Sequence, residues 1–195
     1  MNINKALKKE SKSKNQLFTV MILLFITLPL TAYLSGIQSL FLWIYLGFIE
    51  LLIILKIIIK LNYHGLKFVC NNNRLKIKSG LFIKESLILC DKVALVHTSK
   101  EKDELEIIIV TAVNFKNRGL KPITQGFIKK YSEGAEEYLK IKKLTPEHVF
   151  YFQVVRKGAL KKYELLDAIY KNCVRATYTS SAIENIKIAR GQIDI

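Results

Sequence analysis

The sequence predicts an α+β membrane protein: an N-terminal two-helix transmembrane hairpin followed by short strands in a meander, sandwich or small barrel that a C-terminal helix closes. Three observations carry that prediction. Two long apolar stretches stand side by side between residues 17 and 59, and Glu50 is the only charge between Leu17 and Leu55. From residue 66 to 113 apolar and polar side chains alternate between closely spaced turn residues, the pattern of short strands. After Gly158 the apolar period lengthens to three and four residues, the stripe of an amphipathic helix.

The 195 residues include 31 Lys plus Arg against 16 Asp plus Glu, and 50% are hydrophobic. The chain is apolar and basic at once, with the two properties in different segments. That separation excludes a purely soluble globular chain, a disordered tail, a collagen-like repeat and a disulfide-framed secreted domain. Cys70, Cys90 and Cys173 are an odd number without close spacing. They read as reduced thiols packed as small hydrophobes.

The first span, Leu17 to Leu34, is uncharged and about 27 Å long at a helical rise of ~1.5 Å per residue, against a bilayer core of ~30 Å. The second runs from Leu40 to about Ile59, and the SGIQS segment between them is small and uncharged. Together they predict a hairpin over residues 17–61, with spans at about 17–34 and 40–59. A cleaved signal peptide fits less well: the apolar stretch is long, no small-x-small site follows, and a second span comes at once. Lys5, Lys8, Lys9, Lys12 and Lys14 precede the first span, and Lys56, Lys60 and Lys67 follow the second. The positive-inside rule therefore puts both termini in the cytoplasm, with residues 1–16 a basic cytoplasmic tail and SGIQS outside. Tyr33, Trp43 and Tyr45 suit the outer interface and Tyr63 the inner one, while Pro29 is tolerated as a kink. Glu50 lies near mid-membrane, where a carboxylate costs about 2.5 to 3.5 kcal/mol on the insertion scale. It is a candidate intramembrane assembly contact. The plainer account is a protonated Glu bonded to a hydroxyl of the hairpin, with Thr19 and Thr27 at neighbouring depths.

Residues 65–195 form one cytoplasmic domain of ordinary size. Strands are expected at GLKFVC, at Arg74 to Ser79, within LFIKESLILC, at Val93 to Thr98 and at Leu105 to Val113, the last two joined by the charged turn SKEKDE. Residues 114–146, broken by Gly119, Pro122, Gly126 and Gly134, read as a loop-rich insertion. Within it KKYSEGAEEYLK offers a helical excursion and Tyr138 to Lys142 a strand. VFYFQVV, Val149 to Val155, is a further strand. Helices are expected at about 159–176 and 182–190. The first has Lys161, Lys162 and Lys171 outside its stripe; the second opens with the capping-box spacing of Ser181 and Glu184.

Lys67, Arg74, Lys76 and Lys78 lie on the first two strands, close in sequence to the membrane, and Arg74, Lys76 and Lys78 share one face of their strand. They are the candidate contact for anionic lipid or an acidic partner, each nearby cation being worth about 1 kcal/mol. A solvated face that protects strand edges is the competing account. No Gly-rich phosphate loop, HExxH, Gly-x-Ser-x-Gly or Cys-x-x-Cys occurs, and His64, His97 and His148 stand apart, so no catalytic, metal or cofactor residues are assigned. Aromatic residues do not interleave with the basic cluster, which speaks against nucleic acid.

The segment NNNRLKIKSGLFIKESLILCDKVALVHT, with Asn73-Arg74-Leu75-x-Ile77-x-x-Gly80-Leu81 and the apolar run Leu87 to Val96, resembles the bacterial pleckstrin-homology-like membrane proteins of the YdbS and YdbT type. The likeness covers about residues 65 to 113 in pattern and the rest by element order. It implies a pleckstrin-homology-like barrel or sandwich plugged by the helix starting near Ala159. It also implies a bacterial cytoplasmic-membrane location and a non-catalytic interaction or scaffolding module with an unidentified protein partner. The alternative expectation is a small accessory subunit of a transport, secretion or envelope complex, a homo- or hetero-oligomer assembled through the hairpin.

Overall fold

A computed structural model describes residues 2–36, 39–101, 104–114 and 119–194. Ile37 and Gln38 of the expected SGIQS turn, Lys102 and Asp103 of the SKEKDE turn, and 115–118 of the expected insertion lie outside the described residues. Helix α1 (Ile3–Leu34) and helix α2 (Leu40–His64) are long and apolar enough to cross a membrane, and their apolar side chains face outward.

Among the described residues, 3–16 belong to α1, which begins at Ile3, rather than to a tail separate from the first span. No breaker separates Ile3 from Leu17, and the Asn2 side chain caps the first turn by accepting from Asn4 N–H at 3.0 Å. Ile3 and Ala6 are buried and Leu7 packs with them, one helical face apart from the lysines. Helix α2 likewise runs one turn beyond its apolar stretch, to stop at Gly65.

Strand β1 (Leu66–Asn71) leaves α2 and β2 (Arg74–Ser79) returns antiparallel, so that Ser79 comes back opposite Leu66. The turn between them holds Asn72 and Asn73 at φ of 48° and 58°, left-handed values that asparagine tolerates and that two-residue hairpins require. Strand β3 (Ser86–Leu89) completes a sheet of order β1-β2-β3. Residues 81–85, the start of the segment expected as a strand, form a bend and an irregular stretch instead.

A 3₁₀ turn at Cys90–Lys92 carries the chain into β4 (Val93–Glu101), which pairs with β5 (Glu104–Thr111). Then follow β6 (Lys121–Pro122), α3 (Gln125–Lys130), α4 (Ser132–Leu144), β7 (Tyr151–Val155), α5 (Lys161–Asn172), β8 (Thr177–Tyr178) and α6 (Ser180–Ala189). The second sheet has the order β6-β7-β5-β4-β8, with β8 parallel to β4. Two open sheets result, and no barrel closes among the described residues. The chain crosses from one sheet to the other through the 3₁₀ turn, without a shared ladder.

Strand β5 explains the layers. Ile107 and Ile109 join the main core, with Leu75, Ile77 and Ile88 of the small sheet and Leu165, Leu166 and Ile169 of α5. Ile108 and Val110 point the other way, into a second core with Leu95, Phe127, Tyr131 and Phe150. A strand buried on both faces needs a cover on each. Helices α3 and α4 cover the second face, so the region expected to be loop-rich is mostly helical, and Tyr138 to Lys142 is helix rather than strand. Lys162 is also corrected: it is 1% exposed, inside the fold, because its ammonium donates to the Arg156 carbonyl at 2.8 Å and lies 4.0 Å from Glu104. The N-cap of α6 is Thr179, accepting from Ala182 N–H at 3.3 Å, two residues before the expected Ser181.

Candidate functional site

The outer face of the small sheet is set by its register. Across β1 and β2, Lys67 stands opposite Lys78, Val69 opposite Lys76 and Asn71 opposite Arg74; Leu87 and Leu89 of β3 continue the rows beside Lys76 and Arg74. Every second residue of β2 is buried, as Leu75 and Ile77 at 1% exposure or less, which forces the alternate cations outward. All four sequence-selected cations line one shallow groove of about 630 Å³, with Val69, Asn71, Asn72 and Phe68 between them. Glu85 also lines it and lies 3.8 Å from Lys76; both side chains are more than half exposed, so the pair is worth little. The face is therefore cationic with an apolar floor. Lys67 and Lys78 sit at the end nearest α2, and Arg74 lies four residues further along β2, about 13 Å at ~3.3 Å per residue.

Glu50 is half-buried on α2 and makes no hydrogen bond or ion pair among the described residues. The hairpin hydroxyls do not reach it: Thr19 donates to its own helix at Asn15 O (3.0 Å), and Thr27 at Leu24 O (3.5 Å).

The three histidines are not brought together. His148 faces Phe150, its ring centroid 6.3 Å away. His64 Nδ1 is 3.4 Å from Glu10. His97 is buried on β4, its Nδ1 3.1 Å from Thr179 Oγ1, 3.3 Å from Ser181 Oγ and 3.9 Å from Glu133 Oε2. Hydroxyl and carboxylate crowd the same ring nitrogen, whereas a nucleophile relay needs them on opposite nitrogens. Ser181 Oγ donates to the Thr98 carbonyl at 2.9 Å, and its N–H to Glu133 at 3.0 Å, so the cluster fastens α4 and α6 to β4. Burial, opposed by Glu133, holds the His97 imidazole below its ordinary value.

Two features escaped the sequence reading. Cys70 and Cys90 meet across the fold with sulfurs 3.8 Å apart, and burial pushes the Cys70 thiol up to about 11, leaving little thiolate to react. Glu106, 4% exposed in the middle of β5, accepts from Tyr131 OH at 2.9 Å and Arg156 Nε at 2.7 Å. Its only sign in the sequence is a charge set directly against the apolar run Ile107-Ile108-Ile109-Val110.

No family model matches the chain, and no curated protein or solved structure matches it.

Proposed function

We propose that the chain is a membrane-anchored, non-catalytic interaction module. In this reading the hairpin crosses a bacterial cytoplasmic membrane, both termini are cytoplasmic, and the domain is pleckstrin-homology-like. Its basic strand face takes anionic groups, those of lipid head groups or of an acidic protein partner. The observation that carries the proposal is the convergence of Lys67, Arg74, Lys76 and Lys78 on one open groove with Glu85 as the lining carboxylate. The lysine distribution around the spans and the resemblance of residues 65 to 113 support it.

The test uses the full chain, because Ile3 belongs to the domain core and a fragment lacking α1 would lose it. Purified protein in neutral detergent is titrated with mixed micelles of phosphatidylglycerol or phosphatidylcholine, and separately with a polyglutamate peptide, over a range of salt. Anionic binding that weakens with salt and is lost when Arg74, Lys76 and Lys78 are all changed to Gln supports the reading. Equal weak binding of every probe sinks it.

Glu50, unpartnered among the described residues, favours a second reading: an accessory subunit of a membrane complex assembled through α2. Glu50→Gln should then change the size of the complex extracted from membranes; an unchanged size removes this reading.

A further inference from the structure

The two ends of the small sheet differ sharply in polarity. Away from α2 the hairpin tip is Asn71-Asn72-Asn73. Beside α2 the β2–β3 loop is Leu81-Phe82-Ile83-Lys84, with Leu81 46%, Phe82 78% and Ile83 46% exposed. Three consecutive large apolar side chains at a loop tip, facing away from both cores, are stable in water only at a cost. The loop is also held in place. Gly80 N–H donates to the Gly65 carbonyl, and Leu81 N–H donates to Asn62 Oδ1 at 3.0 Å, in the last turn of α2. Gly80 has a φ of +106°, and a Cβ there would lie 2.6 Å from the same Asn62 oxygen, so only glycine allows this approach. Asn62 is three residues beyond Ile59, about 4.5 Å along the helix at ~1.5 Å per residue. The apolar tip therefore stands level with the end of the apolar surface of α2. Lys84 adjoins it in sequence, and Lys67 and Lys78 share its end of the sheet.

We propose that Leu81, Phe82 and Ile83 form a wedge that inserts into the interfacial layer of the leaflet α2 leaves, with Lys67, Lys78 and Lys84 on the lipid phosphates around it. The inference rests on the reading of α2 as a membrane span. The occupant is the bilayer, because the wedge continues the apolar flank of α2 and its flanking charges complement phosphate. The wedge gives the small sheet a third attachment besides the two spans and fixes its orientation, leaving the Arg74 end of the groove for a partner.

The test uses the full chain in vesicles of phosphatidylethanolamine and phosphatidylglycerol. Trp43, the single tryptophan, is changed to Phe, and Phe82→Trp supplies a reporter at an exposed site. Phospholipids brominated near the head group or deep in the acyl chain are then compared as quenchers. The expected result is blue-shifted emission, lost mostly to the shallow bromines. Val149→Trp in the same background, 60% exposed next to the end of β7 far from α2, stays unquenched. Water-like, unquenched emission from the Phe82→Trp chain overturns the inference. Blue-shifted but unquenched emission also overturns it, since a second copy of the chain then covers the loop. Equal quenching at both sites overturns it as well, because the whole domain then lies on the lipid. Alkaline carbonate extraction separates the two readings. A chain that stays in the membrane with an unquenched reporter rejects the wedge alone, whereas release of the chain rejects the span and the wedge with it.

Discussion

The backbone N–H of Gly158, just after β7, donates to the carbonyl of Tyr63 in the last turn of α2 at 2.8 Å. Around that bond, Tyr63 OH donates to Glu104 at 2.7 Å, and Leu160 N–H donates to Glu10 of α1 at 3.2 Å. The helices and the domain thus meet in a hydrogen-bonded joint rather than through a loose tether. An orientation set in α2 is passed directly to the sheets.

Gly158 itself tests the joint. Its φ is +121°, and an added Cβ would lie 2.6 Å from the Cβ of Leu66, which is buried. Gly158→Ala should cost about 1–3 kcal/mol for the backbone conformation, with a further loss of about 1–3 from the overpacking. The measurement is the thermal midpoint of the detergent-solubilised chain, and an unchanged midpoint would contradict the packing described.

Ile3 tests whether the first turns of α1 belong to the domain. It is 2% exposed in the main core, so Ile3→Ala should destabilise by about 2–5 kcal/mol. Lys5→Ala, on the exposed side of the same turn, should stay within about 0.5 kcal/mol. If both substitutions are silent in denaturant melts, the segment is a free tail after all.

Lys78 faces Lys67 directly across the ladder. Like charges in that position repel, so Lys78→Gln should leave folding stability unchanged or raise it by about 0.2–1 kcal/mol, while weakening anionic binding. A clear loss of stability would mean that the lysine holds the fold together instead of serving as a contact.

His97 gives a pH prediction. Burial keeps its folded-state value below that of the unfolded chain, so as pH falls the unfolded state takes up the proton first. Stability is therefore full above the ordinary histidine value of ~6.5 and drains as pH drops through it towards the lower folded value. The groups facing the ring are Glu133, Thr179, Ser181 and Tyr131. The thermal midpoint should decline between pH ~7 and ~5, and His97→Gln should flatten that decline relative to wild type. Parallel profiles for the two proteins would count against the assignment.

Features that depend on local pattern are legible in the residues alone. Apolar runs close to a bilayer core in length point to the two long helices, and strict alternation at Arg74 to Ser79 puts Arg74, Lys76 and Lys78 on one face opposite Leu75 and Ile77. The three-and-four spacing after Gly158 gave α5. Each follows from run length or from periods of 2.0 and 3.6 residues, which a chain carries without any partner.

Features that depend on which surfaces meet emerge from the folded chain alone. The tertiary structure drew Ile3 and Leu7 out of a presumed tail, because their short apolar stripe had a core to join. It turned residues 125–144 into helices, because Ile108 and Val110 left one face of β5 to be covered. It placed Lys162 inside, where the Arg156 carbonyl and Glu104 replace water around its ammonium, and kept two sheets open where one barrel was expected. Above all it set Leu81, Phe82 and Ile83 beside the end of α2. That neighbourhood comes from an antiparallel return of the chain to Gly65 and Asn62, and no residue within the loop encodes it.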